Sequence, residues 1–575
     1  MSSTKYRQLK GVYFLKDAKE KYLVFLVILF AAAAIIVTCI MFNASLDDDK
    51  QTIEETSQSL QTDISEKHTT DTDTDTQETE IIYQNVPVVI PDIDTQNFNY
   101  TVEAEDTAIY GSLYCGNTRP DYSGTGYVTG FDGEKGNRIL FYFYIPSLQH
   151  YDITVRYASD MKTSNSVTAD GKKIGTIETD GNYTGFKETT FEGVFLDEGY
   201  VEIEVVQDDG NFDLDYIEIN NNEYVYENDS DVMKKLSNEN ASAEANSLMS
   251  YLVDMYGKGI ITGQYVSSPA NTEIKVLEKL TGRYPVIRFA ALSGDSTVNE
   301  EQIKAAENWV SSMGGITGLM WYWNAPSGGD SIYAEETSFD LSRAVTDKDI
   351  ALRDIDELEK MCSEGKISEE CVQLVKDIDE ISAQLKYLKK AKIPVLWRPL
   401  HEAGGEWYWW GSAGSDAYKW LWELLYKRQT VYHDLNNLIW LWNGQSKNYV
   451  IDENLYDIAS VDVYEGDEAD YGSHFQQYKW LYMLTEKKKL VALSECGTVP
   501  DINEIFRDNA MFSFFGLWYG NYVVDENGDY SEEYTSAEAM KKMYNSDGAI
   551  TLDEYIKGEK PSESIVIETQ ATEEY

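Results

Sequence analysis

The stretch Trp397-Arg398-Pro399-Leu400-His401-Glu402-Ala403-Gly404-Gly405-Glu406-Trp407-Tyr408-Trp409-Trp410-Gly411 decides how this chain is read. An apolar run ends in a glutamate, turns on glycines and then presents a cluster of indoles and a phenol. Sugars offer C–H faces that stack on aromatic rings, and a glycosidic oxygen needs a carboxylic acid to protonate it. The same grammar returns in Lys489-Leu490-Val491-Ala492-Leu493-Ser494-Glu495-Cys496-Gly497, again an apolar run ending in Glu and then Gly. Two glutamates placed this way predict a retaining glycosidase on a barrel scaffold.

Working outward, apolar runs recur at 259–264, 284–289, 315–323, 393–400, 437–442, 458–464, 490–494 and 513–518. Amphipathic stretches such as 302–312 and 417–435 lie between them. Eight strand–helix units predict an α/β fold, a (β/α)8 TIM barrel over residues 238–557. The long third connection holds the helical segment 347–392. Catalytic groups in such barrels sit at the C-terminal ends of strands, where Glu402 and Glu495 fall.

Residues 96–224 read differently. Alternating segments at 100–105, 138–145, 151–158, 199–207 and 213–219, separated by Gly, Asn and Asp turns, predict an antiparallel β-sandwich. The run 122–127 reads as a flexible loop leading into a strand. Residues 43–95 are rich in Thr, Asp, Ser and Gln and include Asp71-Thr72-Asp73-Thr74-Asp75-Thr76, the composition of a disordered acidic spacer. Residues 558–575 are expected to be a disordered tail.

Residues 22–42 are nearly all apolar and would span roughly 31 Å as a helix, the thickness of a bilayer core. Residues 1–21 are basic and Asp47-Asp48-Asp49 follows the apolar run. These features predict a single transmembrane anchor, an N-terminus in the cytoplasm and the remainder outside the cell membrane. Cys362 and Cys371 flank a helix start and are candidates for a disulfide, with two free thiols as the equal alternative.

The formal net charge of −51 excludes nucleic acid as a partner, because phosphates need a basic surface. It does not penalise a neutral polysaccharide. All 13 tryptophans lie between Trp309 and Trp518, which marks one region as chemically distinct.

Retaining hydrolysis needs one carboxyl as acid/base and one as nucleophile. Glu402 is assigned as acid/base and Glu495 as nucleophile. Arg398 is placed to hold a carboxylate ionised by bidentate bonding, and His401 to hydrogen-bond in the site. Tyr464, ending the sixth run, is placed to orient the nucleophile, and Trp518, ending the eighth, to floor the sugar site. Trp420 and Trp422 are assigned to packing.

Residues 238–556 resemble glycoside hydrolase family 26, whose best-known members are endo-β-1,4-mannanases. The resemblance rests on Arg398-Pro399-Leu400-His401-Glu402, Trp407, Trp409-Trp410-Gly411 and Ser494-Glu495-Cys496-Gly497. Gly263-Gln264, Trp323-Asn324-Ala325-Pro326 and Thr337-Ser338-Phe339-Asp340 support it. It implies substrate contacts from His401, Trp407, Tyr464, Trp518 and Trp323, and catalysis without a cofactor. The implied partner is a β-mannan, glucomannan or galactomannan, and a monomer is expected. Many mannanases of this family carry Trp-His-Trp where this chain has Trp321-Tyr322-Trp323, which keeps a mixed-linkage β-glucanase as a rival. A non-catalytic polysaccharide receptor is a second rival.

Residues 96–224 resemble a family 35 carbohydrate-binding module, on Glu103-Ala104-Glu105, Ser123-Gly124-Thr125-Gly126-Tyr127-Val128 and Leu214-Asp215-Tyr216-Ile217-Glu218-Ile219. The resemblance implies a structural calcium ion held by Glu103, Glu105 and Asp215. The module has no Trp, so any sugar platform there must use Tyr, Asn or loop backbone.

Overall fold

The computed structural model describes residues 85–131, 136–181, 185–222, 232–464, 471–558 and 565–568. The chain divides into Met1–Ile82 and Tyr83–Tyr575, and every described residue belongs to the second unit. The predicted anchor at 22–42, the basic segment before it and most of the spacer lie outside the described residues. Among the described residues no helix is long and apolar enough to cross a membrane.

Eight parallel strands close a barrel: β1 (Gly263–Val266), β2 (Ile287–Leu292), β3 (Ile316–Trp321), β4 (Val395–Arg398), β5 (Leu438–Trp442), β6 (Ile458–Val463), β7 (Leu490–Cys496) and β8 (Phe515–Leu517). Seven of the expected runs coincide with barrel strands; the first, 259–264, straddles a separate short strand, Ile260–Ile261, paired with Ala549–Ile550, and the barrel strand begins only at Gly263. The barrel strands read as continuous apolar runs because each is covered inside by barrel core and outside by helices. Helices 243–255, 272–281 and 296–313 pack among the first strands, and each has an amphipathic sequence. The third connection holds Ile355–Ser363 and Glu369–Lys390, a helical pair as expected. Cys362 and Cys371 are free thiols.

One irregularity bears on the site. Leu493 pairs with Val461 but Glu495 pairs with Asp462, so β7 holds one more residue than β6 over this interval. A register shift of the same kind separates Leu493 and Cys496 against β8. A bulge re-aims the side chains that follow it. Here the extra residue falls next to Glu495.

The preceding module is an antiparallel sandwich. One sheet runs Lys187–Leu196, Gln149–Ala158, Asp213–Asn221, Tyr127–Thr129, Tyr114–Gly116, with Asn99–Glu103 also paired to Asp213–Asn221. The other runs Ala108–Tyr110, Arg138–Ile145, Gly199–Asp209, Lys162–Ala169, Lys172–Asp180. Phe141, Phe143, Ile153, Val155, Ile203 and Ile217 fill the space between the sheets.

The module docks on the barrel through two edge strands, Lys187–Leu196 and Lys172–Asp180, and the start of the inner strand Gln149–Ala158. Lys479 pairs with Glu192 at 2.6 Å, Lys172 with Glu504 at 2.8 Å and His150 with Asp508 at 2.7 Å. Gly193 has φ 69°, and a Cβ there would lie 2.2 Å from the Phe475 ring. Glycine is therefore required where the two domains meet most closely.

The disorder expected for 43–95 and 558–575 does not extend over both segments. Val88–Pro91 and Ile565–Glu568 form a parallel ladder, and Val88 is buried. Val86 N–H donates to Asn545 O at 2.7 Å, and Val89 N–H to Asn503 Oδ1 at 3.2 Å. The two flanks satisfy each other's backbone groups against the barrel wall, a pairing too distant in sequence to be read from composition.

Candidate active site

The C-terminal ends of β4, β6 and β7 converge on one guanidinium. Arg398 ends β4, and its fork is split: Nη1 donates to Glu495 Oε1 and Nη2 to Asp462 Oδ2. The bidentate grip expected on a single carboxylate is replaced by a bridge between two. Tyr464 Oη donates to the other oxygen, Glu495 Oε2, at 2.7 Å. Glu495 is thus held at both oxygens, as a nucleophile requires, and Tyr464 has its expected role.

Asp462 was not singled out from the sequence. It lies two residues before Tyr464 in the sixth run, and that period-2 spacing was the available signal. Ser494, beside the register shift, donates its hydroxyl to Asp462 Oδ1 at 2.7 Å. Asn443 was also missed. Its Nδ2 donates to Ser494 Oγ at 3.0 Å, and its Oδ1 and backbone O accept from Glu402 N–H at 2.9 and 2.8 Å.

Glu402 sits on a strained loop. Leu400, Glu402 and Glu406 all have φ between 51° and 59°. Left-handed backbone at non-glycine residues costs on the order of 1–3 kcal/mol each and concentrates at functional sites. Close packing holds the loop. A Cβ at Gly405 would fall 1.9 Å from the Trp407 ring, so glycine lets that ring lie against the loop backbone.

Burial raises the acidity constants of all three carboxyls. Glu402 is pushed up to about 7 by burial and then by the Glu495 charge. Asp462 and Glu495 are likewise raised to about 7 by burial, against the pull of Arg398. Three carboxylates around one guanidinium cannot all be charged. The direct cation and phenol bonds select Glu495 as an ionised group. Glu402 lacks a directly bonded cation and shares a hydrogen bond with Asp462. One carboxylate oxygen from each of Glu402, Asp462 and Glu495 lies within 4.8 Å of the other two.

His401 is fully enclosed, with its ring 5.5 Å from Tyr322, 5.0 Å from Tyr408 and 5.5 Å from Trp410. Burial, then Arg398, drives its pKa well below the ordinary value, so the imidazole is neutral. Its Nδ1 has no hydrogen-bond partner among the described residues.

The indole cluster divides in two. Trp407 is 45% exposed, leaving its ring open to solvent. Trp409 and Trp410 are buried struts: their Nε1 atoms donate to Trp323 O at 2.7 Å and His401 O at 2.9 Å, tying the loop to the ends of β3 and β4. Trp323, expected to touch substrate, is 2% exposed. Trp321 stacks on it at 4.1 Å, and its Nε1 donates to Asp377 at 2.8 Å. It is packing, and sequence could not reveal it because Trp409 and Asp377, which help cover it, come from elements distant in the chain. Trp518 is half-buried, 4.8 Å from Tyr265 and 6.4 Å from Tyr464, next to the nucleophile as expected. Trp420 and Trp422 donate to Thr346 O and Leu455 O, the packing roles assigned to them.

In the module, Glu103, Glu105 and Asp215 converge on one loop. Ser123 Oγ donates to Glu103 at 2.5 Å, Thr125 and Gly126 N–H donate to Glu105 Oε1 at 2.6 and 2.9 Å, and Ser123 N–H donates to Asp215 at 3.0 Å. The loop expected to be flexible is pinned by these acids. Arg156 pairs with Asp215.

Residues 237–554, more than half the chain, match Glycosyl hydrolase family 26. The chain belongs to that family. It is a glycoside hydrolase, and residues 100–222 match Carbohydrate binding module family 35. A mannan endo-1,4-β-mannosidase of Thermothelomyces thermophilus is 32% identical over 476 residues, covering 79% of this chain and 90% of that protein. Mannan endo-1,4-β-mannosidase B of Piromyces sp is 31% identical, covering 79% of this chain and 76% of that protein. The crystal structure of a Podospora anserina GH26-CBM35 β-(1,4)-mannanase shares 30% identity with a TM-score of 0.51, covering 79% of this chain and 98% of that one. A ruminal GH26 endo-β-1,4-mannanase, at 24% identity and a TM-score of 0.54 over 80% of this chain and 99% of that one, shares the fold.

Proposed function

We propose that this glycoside hydrolase cleaves β-1,4-mannosidic bonds within mannan, glucomannan or galactomannan, with retention of configuration. The observation that carries the mechanism is the asymmetry at the barrel mouth. Glu495 has Arg398 on one oxygen and Tyr464 on the other, whereas Glu402 lies within 4.8 Å and has no cation bonded to it. Glu402 donates its proton to the leaving glycosidic oxygen as Glu495 attacks the anomeric carbon and the C–O bond breaks. A water then gives its proton to Glu402 and its oxygen to the anomeric carbon, releasing Glu495. The close carboxyl spacing supports a covalent intermediate over a bridging water, which needs roughly 6.5–9.5 Å. The activity of the relatives supports the choice of mannan.

The test is incubation with linear mannan, galactomannan, barley β-glucan and β-1,3-xylan, following reducing ends, product sizes and the anomer first released. Short mannan oligosaccharides released as the β-anomer support the reading. Release of the α-anomer overturns retention. Cleavage of β-glucan alone favours the rival, which Tyr322 beside His401 keeps in play.

Two further parts belong to the proposal. Glu105 Oε2 is buried without a hydrogen-bond partner, and burial raises the pKa of Glu103. Such oxygens suit calcium, which Glu103 and Glu105 would hold with Asp215. Chelation is expected to lower the melting temperature of the module. The apolar segment 22–42 supports a membrane tether that keeps the enzyme, as a monomer, at the cell surface.

A further inference from the structure

The outward positions of three adjacent module strands carry exposed tyrosines. Tyr142 and Tyr144 lie on Arg138–Ile145, Tyr200 on Gly199–Asp209 and Tyr110 on Ala108–Tyr110, with exposures from 43% to 82%. Register places them together: Tyr200 is opposite Tyr144, Glu202 opposite Tyr142, and Tyr110 opposite Arg138. Neighbours across such strands are ~5 Å apart and alternate positions along one are ~7 Å apart. Tyr144 and Tyr200 are 5.2 Å apart edge to face, and the Arg138 guanidinium lies 5.0 Å over Tyr110.

Strand propensity alone does not account for this strip, because the same sheet manages without it. The outward residues of Lys162–Ala169 include Ser164, Ser166 and Thr168. In the other sheet Thr154 pairs with Thr190 and Thr101 with Glu218, and its exposed Tyr100 and Tyr114 sit on strands that do not pair with each other, so they form no continuous strip. The strip also lies away from Lys172–Asp180, the edge strand of its sheet on the barrel side.

We propose that this face is a carbohydrate-binding surface distinct from the barrel cleft, taking a neutral polysaccharide across Tyr142, Tyr144 and Tyr200. The rings offer faces to sugar C–H groups, and Glu202 and Glu204 beside them accept from hydroxyls. The same carboxylates, on a chain of net charge −51, repel an anionic polymer and a second copy alike. Only the choice of polymer rests on the mannan reading.

The test uses the full chain carrying Glu495→Gln, depleted from solution by whichever insoluble polymer the unmodified enzyme cleaves, so a wrong mannan reading appears in the cleavage assay and leaves this test standing. Tyr142→Ser/Tyr144→Ser/Tyr200→Ser is expected to weaken retention about tenfold, the loss of stacking on several rings. The corresponding Phe variant is expected to retain most of it. In chains with Glu495 intact, the Ser substitutions are expected to leave hydrolysis of a short soluble oligosaccharide unchanged. Tyr200→Ser alone, at the most exposed position, guards against misfolding and is expected to show part of the loss. Unchanged retention in both Ser variants overturns the proposal. So does a concentration-dependent dimer that the Ser variants abolish.

Discussion

Two regions of this molecule bury carboxylates among arginine and hydroxyl donors, with opposite results. At the barrel mouth, burial outweighs the partners and Glu402, Asp462 and Glu495 all rise to about 7. At the module–barrel seam, Asp508 is as deeply enclosed, yet its pKa falls to about 2. Burial alone would raise it. His150 at 2.7 Å, Arg507 at 2.6 Å and the Ser473 hydroxyl at 2.5 Å reverse the sign. Asp377 lies between the two cases, pushed up to about 6 by burial with the Trp323 indole opposing it. The lesson is stoichiometric. One carboxylate with several donors is a structural lock, whereas three carboxylates sharing one guanidinium are held ready to exchange protons.

The comparison breaks most severely at Glu495. Glu495→Ala is expected to reduce kcat by about 10⁴-fold or more while the chain remains folded, because it removes the group that forms the covalent bond. Steady-state kinetics alongside circular dichroism checks both halves. Next comes Glu402→Gln, expected to cost roughly 10²–10⁴-fold in kcat. The unmodified enzyme should lose activity as pH rises through about 7, where Glu402 gives up its proton. A pH–rate profile with no alkaline fall near that value contradicts the assignment.

At the seam the readout is stability. Asp508→Asn is expected to cost about 3 kcal/mol, since it removes the buried charge that Arg507 and His150 both contact. The folded pKa of Asp508 lies below its unfolded value, so its contribution is present above about pH 4 and is lost as pH falls towards about 2. Urea titrations at pH 7 and pH 3 should show the cost of Asp508→Asn shrinking at the lower pH. The smallest effect has the opposite sign. The folded pKa of Glu402 is raised, so the unfolded chain ionises first and stability is lost as pH climbs from about 4.5 to about 7. Glu402→Gln is therefore expected to be more stable than the parent at pH 8, by about 1 kcal/mol, and no more stable at pH 4. A melting-temperature difference that ignores pH would remove the contrast between the two regions.

The barrel and the two glutamates assigned to its mouth were legible because parallel strands covered on both faces read as unbroken apolar runs, and Glu402 and Glu495 lie at the ends of two of them. The module strands Lys162–Ala169, Lys172–Asp180 and Lys187–Leu196 were not legible. Their Lys, Thr and Glu content dilutes the alternation, and cross-strand pairing rather than local pattern fixes them. Asp462 and Asn443 escaped for a related reason. Their importance comes from Arg398 and Glu402, which are neighbours only once the barrel closes.

The sequence alone therefore determined the barrel scaffold and placed Glu402 and Glu495 at its strand ends, because periodicity and strand-end position are local properties. Tertiary structure decided how Arg398 divides its fork, which of the clustered indoles faces solvent, and that Val88–Pro91 pairs with Ile565–Glu568. Those outcomes depend on which surfaces meet. Burial and the sharing of donors are set by groups far apart in the chain, and no local pattern records them.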